Sequence, residues 1–297
     1  MIGQKCVYVD LPYYANVGDV LIWEGTERFF KRNHIKIVYS GSWDTFDFRP
    51  IPEETPIVMQ GGGNFGDVWD PPQQFRLSVI KRYPKNKIIL LPQTVFYYSE
   101  QRKKEDAEIF SGHPNLTICV RDWDSYKLVR GCFKNDVICL PDMAFCIPVK
   151  KIRILVKETR TDKRLFLKRQ DKEYKPSEYE KTIPNNVDVH DWPPLENEQS
   201  YLHTMRYLIE NRHKLSRVRL SRIADMYARF ILKPRIIRDG VEFLNQYKDI
   251  YTTRLHGAIL SILLDKQCVF INNSYGKNLS FYNSWLSNVD GISFVNE

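Results

Sequence analysis

The sequence predicts an α/β protein of two domains, each built on a largely parallel sheet, that face each other across a cleft. Short apolar runs alternate with amphipathic stretches along the chain, which is the pattern of βα units. The apolar runs are short and rich in β-branched residues, which favours strands buried on both faces. Ligands bind such proteins beyond the carboxyl ends of the strands, so the motifs at those ends are the candidate site.

The predicted elements of the first domain, residues 1–149, alternate regularly. We predict strands over KCVYVD, IKIVYS, TPIVMQ, NKIILLP, LTICV and DVICLPD, and helices over 18–32, 71–83, 100–110 and 123–130. A charged region at 158–181 then interrupts the pattern, as a solvated face or a domain junction would. In the second domain, residues 150–297, we predict strands over NNVDVHDW, DIYTT and QCVFIN, and helices over 198–214, 239–247 and 255–264.

Composition excludes several classes of protein. With 43% hydrophobic and 13% aromatic residues in 297, the chain can bury a sizeable core, which excludes disorder and collagen-like repeats. No apolar run approaches the roughly 18 residues that span a bilayer, and the first residues lack the layout of a signal peptide, so we expect a cytoplasmic protein. The six cysteines form no CxxC pair and have no histidine at zinc spacing; we expect reduced core residues and no metal site.

Two loops in the first domain carry candidate ligand-binding residues. Three consecutive glycines, Gly61, Gly62 and Gly63, follow the third predicted strand and precede Asn64, so the backbone there can adopt unusual dihedrals or let a ligand approach closely. A tight strand-to-helix turn without a ligand is the alternative. In NVGDV, Asn16 makes a turn and Asp19 either caps the next helix or faces the cleft, on the same sheet edge.

Basic residues and one histidine follow two further strands. Arg121 ends a strand just before a helix, where it either meets an anion or forms a salt bridge to Asp122 or Asp142. In TTRLHGAI, Arg254 and His256 occupy the predicted first turn of a helix, a combination suited to a phosphate or carboxylate. The alternative is a structural histidine.

The segment 212–238 contains nine Lys or Arg residues and a single acid, Asp225. Its apolar residues at helical spacing predict a basic amphipathic helix; they are Leu220, Ile223, Tyr227, Phe230 and Ile231. Such a helix either lies on an anionic membrane surface or packs its apolar face on the domain. No nucleic-acid-binding module accompanies the charge, so we expect no nucleic-acid partner.

Taken together, these segments resemble the polysaccharide pyruvyl transferase family of exopolysaccharide and capsule biosynthesis. The matching motifs occur in order along nearly the whole chain: NVGDVLIWEG, MQGGGNFGD, LPQT, RDWDS, LPDMAF, RLFLKRQDKE, TTRLHGAI and INNSYGKNLSFYNSW. The resemblance implies two Rossmann-like domains facing a cleft, as in GT-B glycosyltransferases, with the acceptor on the N-terminal side and the donor on the C-terminal side. It also marks RLFLK as the first strand of the second domain, and the last ~20 residues as a segment that packs back on the first.

The resemblance implies transfer of a pyruvyl group from phosphoenolpyruvate to a hexose of an oligosaccharide or polysaccharide precursor, giving a cyclic ketal and phosphate, with no cofactor. Membrane contact by the segment 212–238 would suit a lipid-linked precursor at the cytoplasmic face. The implied catalytic residues are His256 and Arg254. The implied donor-binding residues are Arg121, Arg169, Arg254 and Lys277, although a surface lysine is the alternative for the last. The implied acceptor-binding residues are Asn16, Asp19, Gly61, Gly62, Gly63 and Asn64. A nucleotide-sugar glycosyltransferase and a non-catalytic carbohydrate-binding protein remain the alternative functions.

Overall fold

The computed structural model describes residues 2–156, 161–197, 199–211, 217–274 and 276–296, with only the backbone at 217–220. Two parallel sheets account for all its strand pairings. The predicted α/β class with parallel sheets is confirmed. No helix in these described ranges has the length and apolar character to cross a bilayer.

The first sheet has seven strands in the order β2-β1-β3-β5-β6-β7, with β4 also paired to β5. Its elements are β1 (Lys5–Val9), α1 (Val17–Arg32), β2 (Lys36–Gly41), β3 (Ile57–Met59), β4 (Gly62–Gly66), α2 (Asp70–Arg82), β5 (Ile88–Phe96), α3 (Glu100–Ser111), β6 (Leu116–Val120), α4 (Trp123–Cys132), β7 (Asp136–Cys139) and the short α5 (Val149–Arg153). These bounds lie within a few residues of the predicted ones.

The second sheet has five strands in the order β12-β11-β10-β8-β9. Its elements are β8 (Arg164–Leu167), β9 (Asp188–His190), α6 (Pro193–Glu196), α7 (Ser200–Glu210), α8 (Arg217–Tyr227), α9 (Lys233–Asn245), β10 (Asp249–Thr252), α10 (Leu255–Leu263), β11 (Gln267–Ile271), α11 (Lys277–Phe281) and β12 (Ile292–Val295). The helix predicted over 239–247 begins six residues earlier than expected. Glu198 and residues 212–214 of the helix predicted over 198–214 lie outside the described residues.

The glycine motif is a strand rather than the loop that the sequence suggested. β4 pairs with β5 through Gly62 with Gln93 and Gly66 with Phe96. A β-carbon on Gly66, whose φ is +122°, would lie 1.8 Å from the carbonyl oxygen of Phe96. Only glycine permits this approach of the two backbones, so the motif serves the sheet as well as the site that follows.

The apolar core runs between the two sheets. One cluster of buried residues covers one face of the first sheet and continues through α1 into α9 and α10. A second cluster lies on the opposite face of the first sheet. Near the end of the chain, Trp285 donates to the carbonyl of Arg121 at 2.8 Å, whereas β12 joins the second sheet. The division into domains 1–149 and 150–297 stays a prediction.

Helices α8 and α9 are joined by one π-helical turn, Ala228–Leu232. Ala224, Ala228 and Leu232 turn inward and are fully buried. The apolar residues that the sequence picked out behave differently, because Phe230 is 66% exposed and Ile223 is 47% exposed. Ala224, Ala228 and Leu232 therefore form the stripe that faces the core, whereas Ile223 and Phe230 lie on the outer face.

Candidate active site

A cavity of about 610 Å³, within the range of small-molecule sites, opens where the carboxyl ends of strands from both sheets meet. Its walls are formed by residues that follow β1, β2, β4, β6, β8, β9, β10 and β11. Nine predicted site residues line it: Asn16, Asp19, Gly63, Asn64, Arg121, Arg169, Arg254, His256 and Lys277. Gly61 and Gly62 do not; a β-carbon on Gly61 would meet the carbonyl of Pro92 at 2.7 Å. Gly61 therefore allows a close approach to β5, whereas Gly62 has a φ of +149°, a conformation that favours glycine.

Asp142 joins two of the predicted catalytic and donor-binding groups. Its Oδ2 accepts a hydrogen bond from Nη1 of Arg121 at 2.6 Å and lies 3.4 Å from Nε2 of His256. Its Oδ1 accepts from the backbone N–H of Ala144, which starts a 3₁₀ turn. Arg121 also donates from Nε to Thr94 at 2.9 Å. The salt bridge that the sequence left open for Arg121 therefore exists, with Asp142 as the partner, inside the site.

The charge of Asp142 is set by its surroundings. Burial raises the pKa of this carboxyl, but His256, Arg121 and the N–H of Ala144 together outweigh burial and hold the pKa well below its usual range. Asp142 is thus an anion next to the imidazole. Nε2 of His256 is buried and makes no hydrogen bond among the described residues. Its nearest acidic neighbour is Oδ2 of Asp142, at the ion-pair distance of 3.4 Å.

Arg254 caps α10 and is paired to a carboxylate that the sequence analysis missed. Its Nε and Nη2 both donate to Asp191, the latter at 2.5 Å, in a two-pronged ion pair. Nη2 also lies 3.5 Å from Asp171. Thr252 Oγ1 accepts the backbone N–H of Arg254 at 3.0 Å. The guanidinium is therefore fixed in orientation before any ligand arrives.

The other two cations share Glu173. This carboxylate accepts from Nη1 of Arg169 at 2.5 Å, from Lys277 and from the indole N–H of Trp69 at 3.0 Å. Burial raises the pKa of Glu173, but the two cations outweigh it and keep the pKa well below its usual range. Burial, assisted by Arg169 and Arg121, lowers the pKa of Lys277 to about 8 against the pull of Glu173. The lysine is 7% exposed, so the surface alternative is wrong.

Gly63 is the point on which two of these cations converge. A β-carbon at this glycine would lie 2.7 Å from Nη2 of Arg121 and 3.4 Å from Nζ of Lys277. The missing side chain leaves the space beside both cations open to a ligand. Arg121 follows β6 and Lys277 begins α11, so the two halves of the chain each supply one cation to this corner of the cavity.

The polar residues of the first half play more structural roles than the sequence suggested. Asn16, not Asp19, caps α1, because its Oδ1 accepts the N–H of Gly18 at 2.9 Å. Asp19 instead accepts a hydrogen bond from the hydroxyl of Tyr14 at 2.9 Å and faces the cavity. The side-chain oxygen of Asn64 accepts from Nη2 of the buried Arg76.

Aromatic rings form the remaining wall. Tyr14 and Trp43 stack with their centroids 5.3 Å apart. Trp69 also lines the cavity, and Nζ of Lys172 lies 4.1 Å from the centroid of its ring. Rings of this kind offer flat apolar faces next to polar tips, the composition of sites that hold sugars and other amphipathic ligands. None of these rings carried a motif signal in the sequence.

The charges that line the cavity nearly cancel. Four cations, Arg121, Arg169, Arg254 and Lys277, face five carboxylates, Asp19, Asp171, Glu173, Asp191 and Glu196. The cavity therefore has no excess of positive charge, and its arginine and lysine N–H groups are oriented by the carboxylates. Within the described ranges no three acidic, histidine or cysteine side chains converge as metal ligands would, since the carboxylates pair with arginine and lysine.

Comparison with known proteins gives a consistent result. A family model for polysaccharide pyruvyl transferase matches residues 16–275. The chain is 33% identical to the putative pyruvyl transferase EpsO of Bacillus subtilis, over 98% of this chain and 88% of that protein. It is 27% identical to pyruvyl transferase 1 of Schizosaccharomyces pombe, over 98% and 73%. A crystal structure of a Klebsiella pneumoniae protein described as uncharacterized shares the fold, with a TM-score of 0.69 and 23% identity over 99% of this chain and 93% of that one.

The chain is thus an α/β protein with two parallel sheets and a cavity lined by paired cations and by a histidine beside a carboxylate. The chain belongs to the polysaccharide pyruvyl transferase family. The resemblance seen in its motifs is confirmed, and the protein is a polysaccharide pyruvyl transferase.

Proposed function

We propose that the enzyme transfers the pyruvyl group of phosphoenolpyruvate to two hydroxyls of one hexose, forming a cyclic ketal and releasing phosphate. The acceptor is a lipid-linked precursor of an exopolysaccharide or capsule, met at the cytoplasmic face of the membrane. The observation that carries the proposal is the convergence of Arg121 and Lys277 on Gly63, with His256 on the other side of the Asp142 that orients Arg121.

The donor carries a phosphate and a carboxylate on adjacent positions of a three-carbon skeleton. In the proposal, Arg121 and Lys277 bind one of these anions beside Gly63, and Arg254 and Arg169 bind the other. The carboxylates that pair with these cations hold the N–H donors in place, which lowers the cost of ordering them when substrate binds. The arrangement of two facing domains, as in GT-B enzymes, belongs to the same proposal.

The chemistry requires one proton donor and one acceptor. His256 protonates the methylene carbon of the donor, and the first sugar hydroxyl attacks the adjacent carbon and loses its proton to a base. The bond from that carbon to the phosphate oxygen then breaks with its electron pair on oxygen, the second hydroxyl attacks, and its proton leaves with phosphate. Asp142 supports His256 as the acid, because its charge stabilises the imidazolium. Asp19 is the proposed base, since its carboxylate faces the cavity beside the aromatic wall.

A thermal-shift titration tests the donor part of the proposal. We expect phosphoenolpyruvate to raise the unfolding temperature saturably, beyond the effect of inorganic phosphate. In Arg254→Ala this ligand-induced shift is lost. Arg164→Ala is the matched control, because it also removes an arginine that is paired to an aspartate, Asp249. Arg164 begins β8, at the end of the strand away from the cavity, so we expect this variant to keep the shift.

The alternative functions give different results in the same titration. A nucleotide-sugar glycosyltransferase would respond to a UDP- or GDP-sugar and not to phosphoenolpyruvate. A non-catalytic carbohydrate-binding protein would respond to sugar equally in the wild type and in Arg254→Ala. Either pattern would overturn the proposed donor.

A further inference from the structure

The outer side of α8 and α9 carries an exposed apolar surface, which we call the α8–α9 face. Its members are Ile223, Met226, Phe230 and Ile231, which are 47%, 61%, 66% and 40% exposed. Ile223 and Met226 lie in α8, and Phe230 and Ile231 lie in the π turn Ala228–Leu232 that joins α8 to α9. The inward side of the segment is fully buried, so this face is not needed for the core.

The exposed charges between residues 222 and 238 are positive. Arg222, Arg235 and Arg238 are exposed. Asp225, the acid of segment 212–238, turns inward and accepts hydrogen bonds from Thr45 at 2.6 Å and Tyr13 at 3.0 Å. Arg229 and Lys233 pair with Glu27 of α1. Arg222, Arg235 and Arg238 therefore supply the exposed positive charge, and Glu242 is the first exposed acid further along α9.

We propose that the α8–α9 face binds an anionic phospholipid bilayer. Exposed apolar side chains flanked by arginines on one helix face are the composition of helices that lie in a membrane interface. Each basic residue near an anionic leaflet strengthens the attraction. A second copy of the chain is a poorer match, because a symmetric contact would bring the same arginines together.

The position of the face connects it to the active site. Asp225 ties α8 to Thr45 and Tyr13, and these residues adjoin Trp43 and Tyr14, which stack in the wall of the cavity. Membrane binding would thus bring the aromatic wall close to the lipid surface. This step rests on the proposed function, in which the acceptor is lipid-linked; the binding of lipid itself does not.

Co-sedimentation of the full chain with vesicles tests the proposal. We expect the wild type to pellet at low salt with vesicles containing phosphatidylglycerol and not with pure phosphatidylcholine. Met226→Ser with Phe230→Ser lowers the bound fraction about tenfold or more, because two inserted side chains are lost. Arg235→Glu lowers it by a similar factor. The matched controls, Tyr98→Ser, which is 67% exposed, and Lys104→Glu, leave binding unchanged.

Two outcomes overturn the proposal. One is that vesicle binding does not depend on this face: the wild type does not pellet with anionic vesicles, or the Met226→Ser/Phe230→Ser variant pellets as well as the wild type. The other is a concentration-dependent dimer in sedimentation velocity that this variant abolishes while vesicle binding is absent, which would assign the face to a second copy. Turnover on a water-soluble acceptor is measured in parallel and is expected to be the same in all variants. Vesicle binding without turnover would leave the docking surface standing and reject the proposed function alone.

Discussion

Asp142 is the residue on which the candidate catalytic group and the donor-binding group both depend. We expect Asp142→Asn to lower kcat/KM by about 10²-fold or more, because the anion that stabilises protonated His256 and orients Arg121 is lost. The amide keeps an oxygen that can accept the Ala144 N–H, which preserves the 3₁₀ turn. The measurement is steady-state phosphate release with phosphoenolpyruvate and a sugar acceptor.

Asp136→Asn provides the comparison, since it removes an exposed carboxylate from β7. It should retain full activity, and circular dichroism should show both variants folded. A folded Asp142→Asn enzyme with wild-type kcat/KM would show that the carboxylate has no part in the reaction.

The lowered pKa of Lys277 predicts that donor binding weakens as the pH rises. Its pKa is lowered to about 8, chiefly by burial, so the lysine is a cation below that pH and loses its charge as the pH rises through it. The dissociation constant for phosphoenolpyruvate should therefore increase between about pH 7 and pH 9. In Lys277→Gln, binding should be weaker throughout and flat over that range, as measured by calorimetric titration. A pH dependence that survives in Lys277→Gln would assign the titration to another group.

Among the structural elements, substitutions at Gly63 and Gly25 distinguish an effect on ligand binding from an effect on stability. Gly63→Ala places a methyl group beside the heads of Arg121 and Lys277, so these side-chain ends must shift, whereas no backbone atom lies in its way. We expect about tenfold weaker binding of phosphoenolpyruvate and a change in unfolding free energy of less than about 1 kcal/mol.

Gly25→Ala should show the opposite behaviour. A β-carbon there would lie 1.9 Å from the backbone carbonyl of Met143, so α1 must shift. We expect a loss of about 1–3 kcal/mol in unfolding free energy with donor affinity retained. Urea unfolding and donor titration on both variants check the pair; equal effects of the two substitutions would contradict this assignment of Gly63.

The sequence predicted strands and helices well, because hydrophobic periodicity and helix caps are local signals. It also predicted which strand ends line the cavity, since parallel strands present their carboxyl ends at one edge. It did not predict Asp191 as the partner of Arg254, because the two are 63 positions apart and pair only once β9 and β10 flank β8. The stacked Tyr14 and Trp43 were missed for the same reason: aromatic residues in loops have no motif of their own.

At the scale of the whole molecule, Asp225 links α8 to two loops of the first half of the chain. Burial raises the pKa of this carboxyl to about 6. A raised pKa favours the protonated form in the folded state, so the stability it contributes is present below about pH 4 and is lost as the pH rises through about 6. Asp225→Asn keeps an oxygen to accept from Tyr13 and Thr45 but does not titrate.

The unfolding free energy of Asp225→Asn minus that of the wild type should therefore increase by up to about 3 kcal/mol between about pH 4 and about pH 7. Urea unfolding across that range measures it, and the other titrating groups cancel because both proteins share them. A difference between the two proteins that does not change with pH would show that the carboxyl titrates normally.

In the proposed reaction, phosphoenolpyruvate and a sugar form a pyruvate ketal in the cavity with His256 as the proton donor. Carbon-13 NMR of a reaction with ¹³C-labelled phosphoenolpyruvate and a candidate acceptor tests it most directly. We predict a labelled ketal carbon and a labelled methyl group attached to the sugar, with one phosphate released per ketal, and neither product from folded His256→Gln. Ketal formation at the wild-type rate by His256→Gln would show that His256 is not the proton donor. Labelled pyruvate and phosphate without any sugar adduct from the wild type would show that the enzyme does not transfer the pyruvyl group to this sugar.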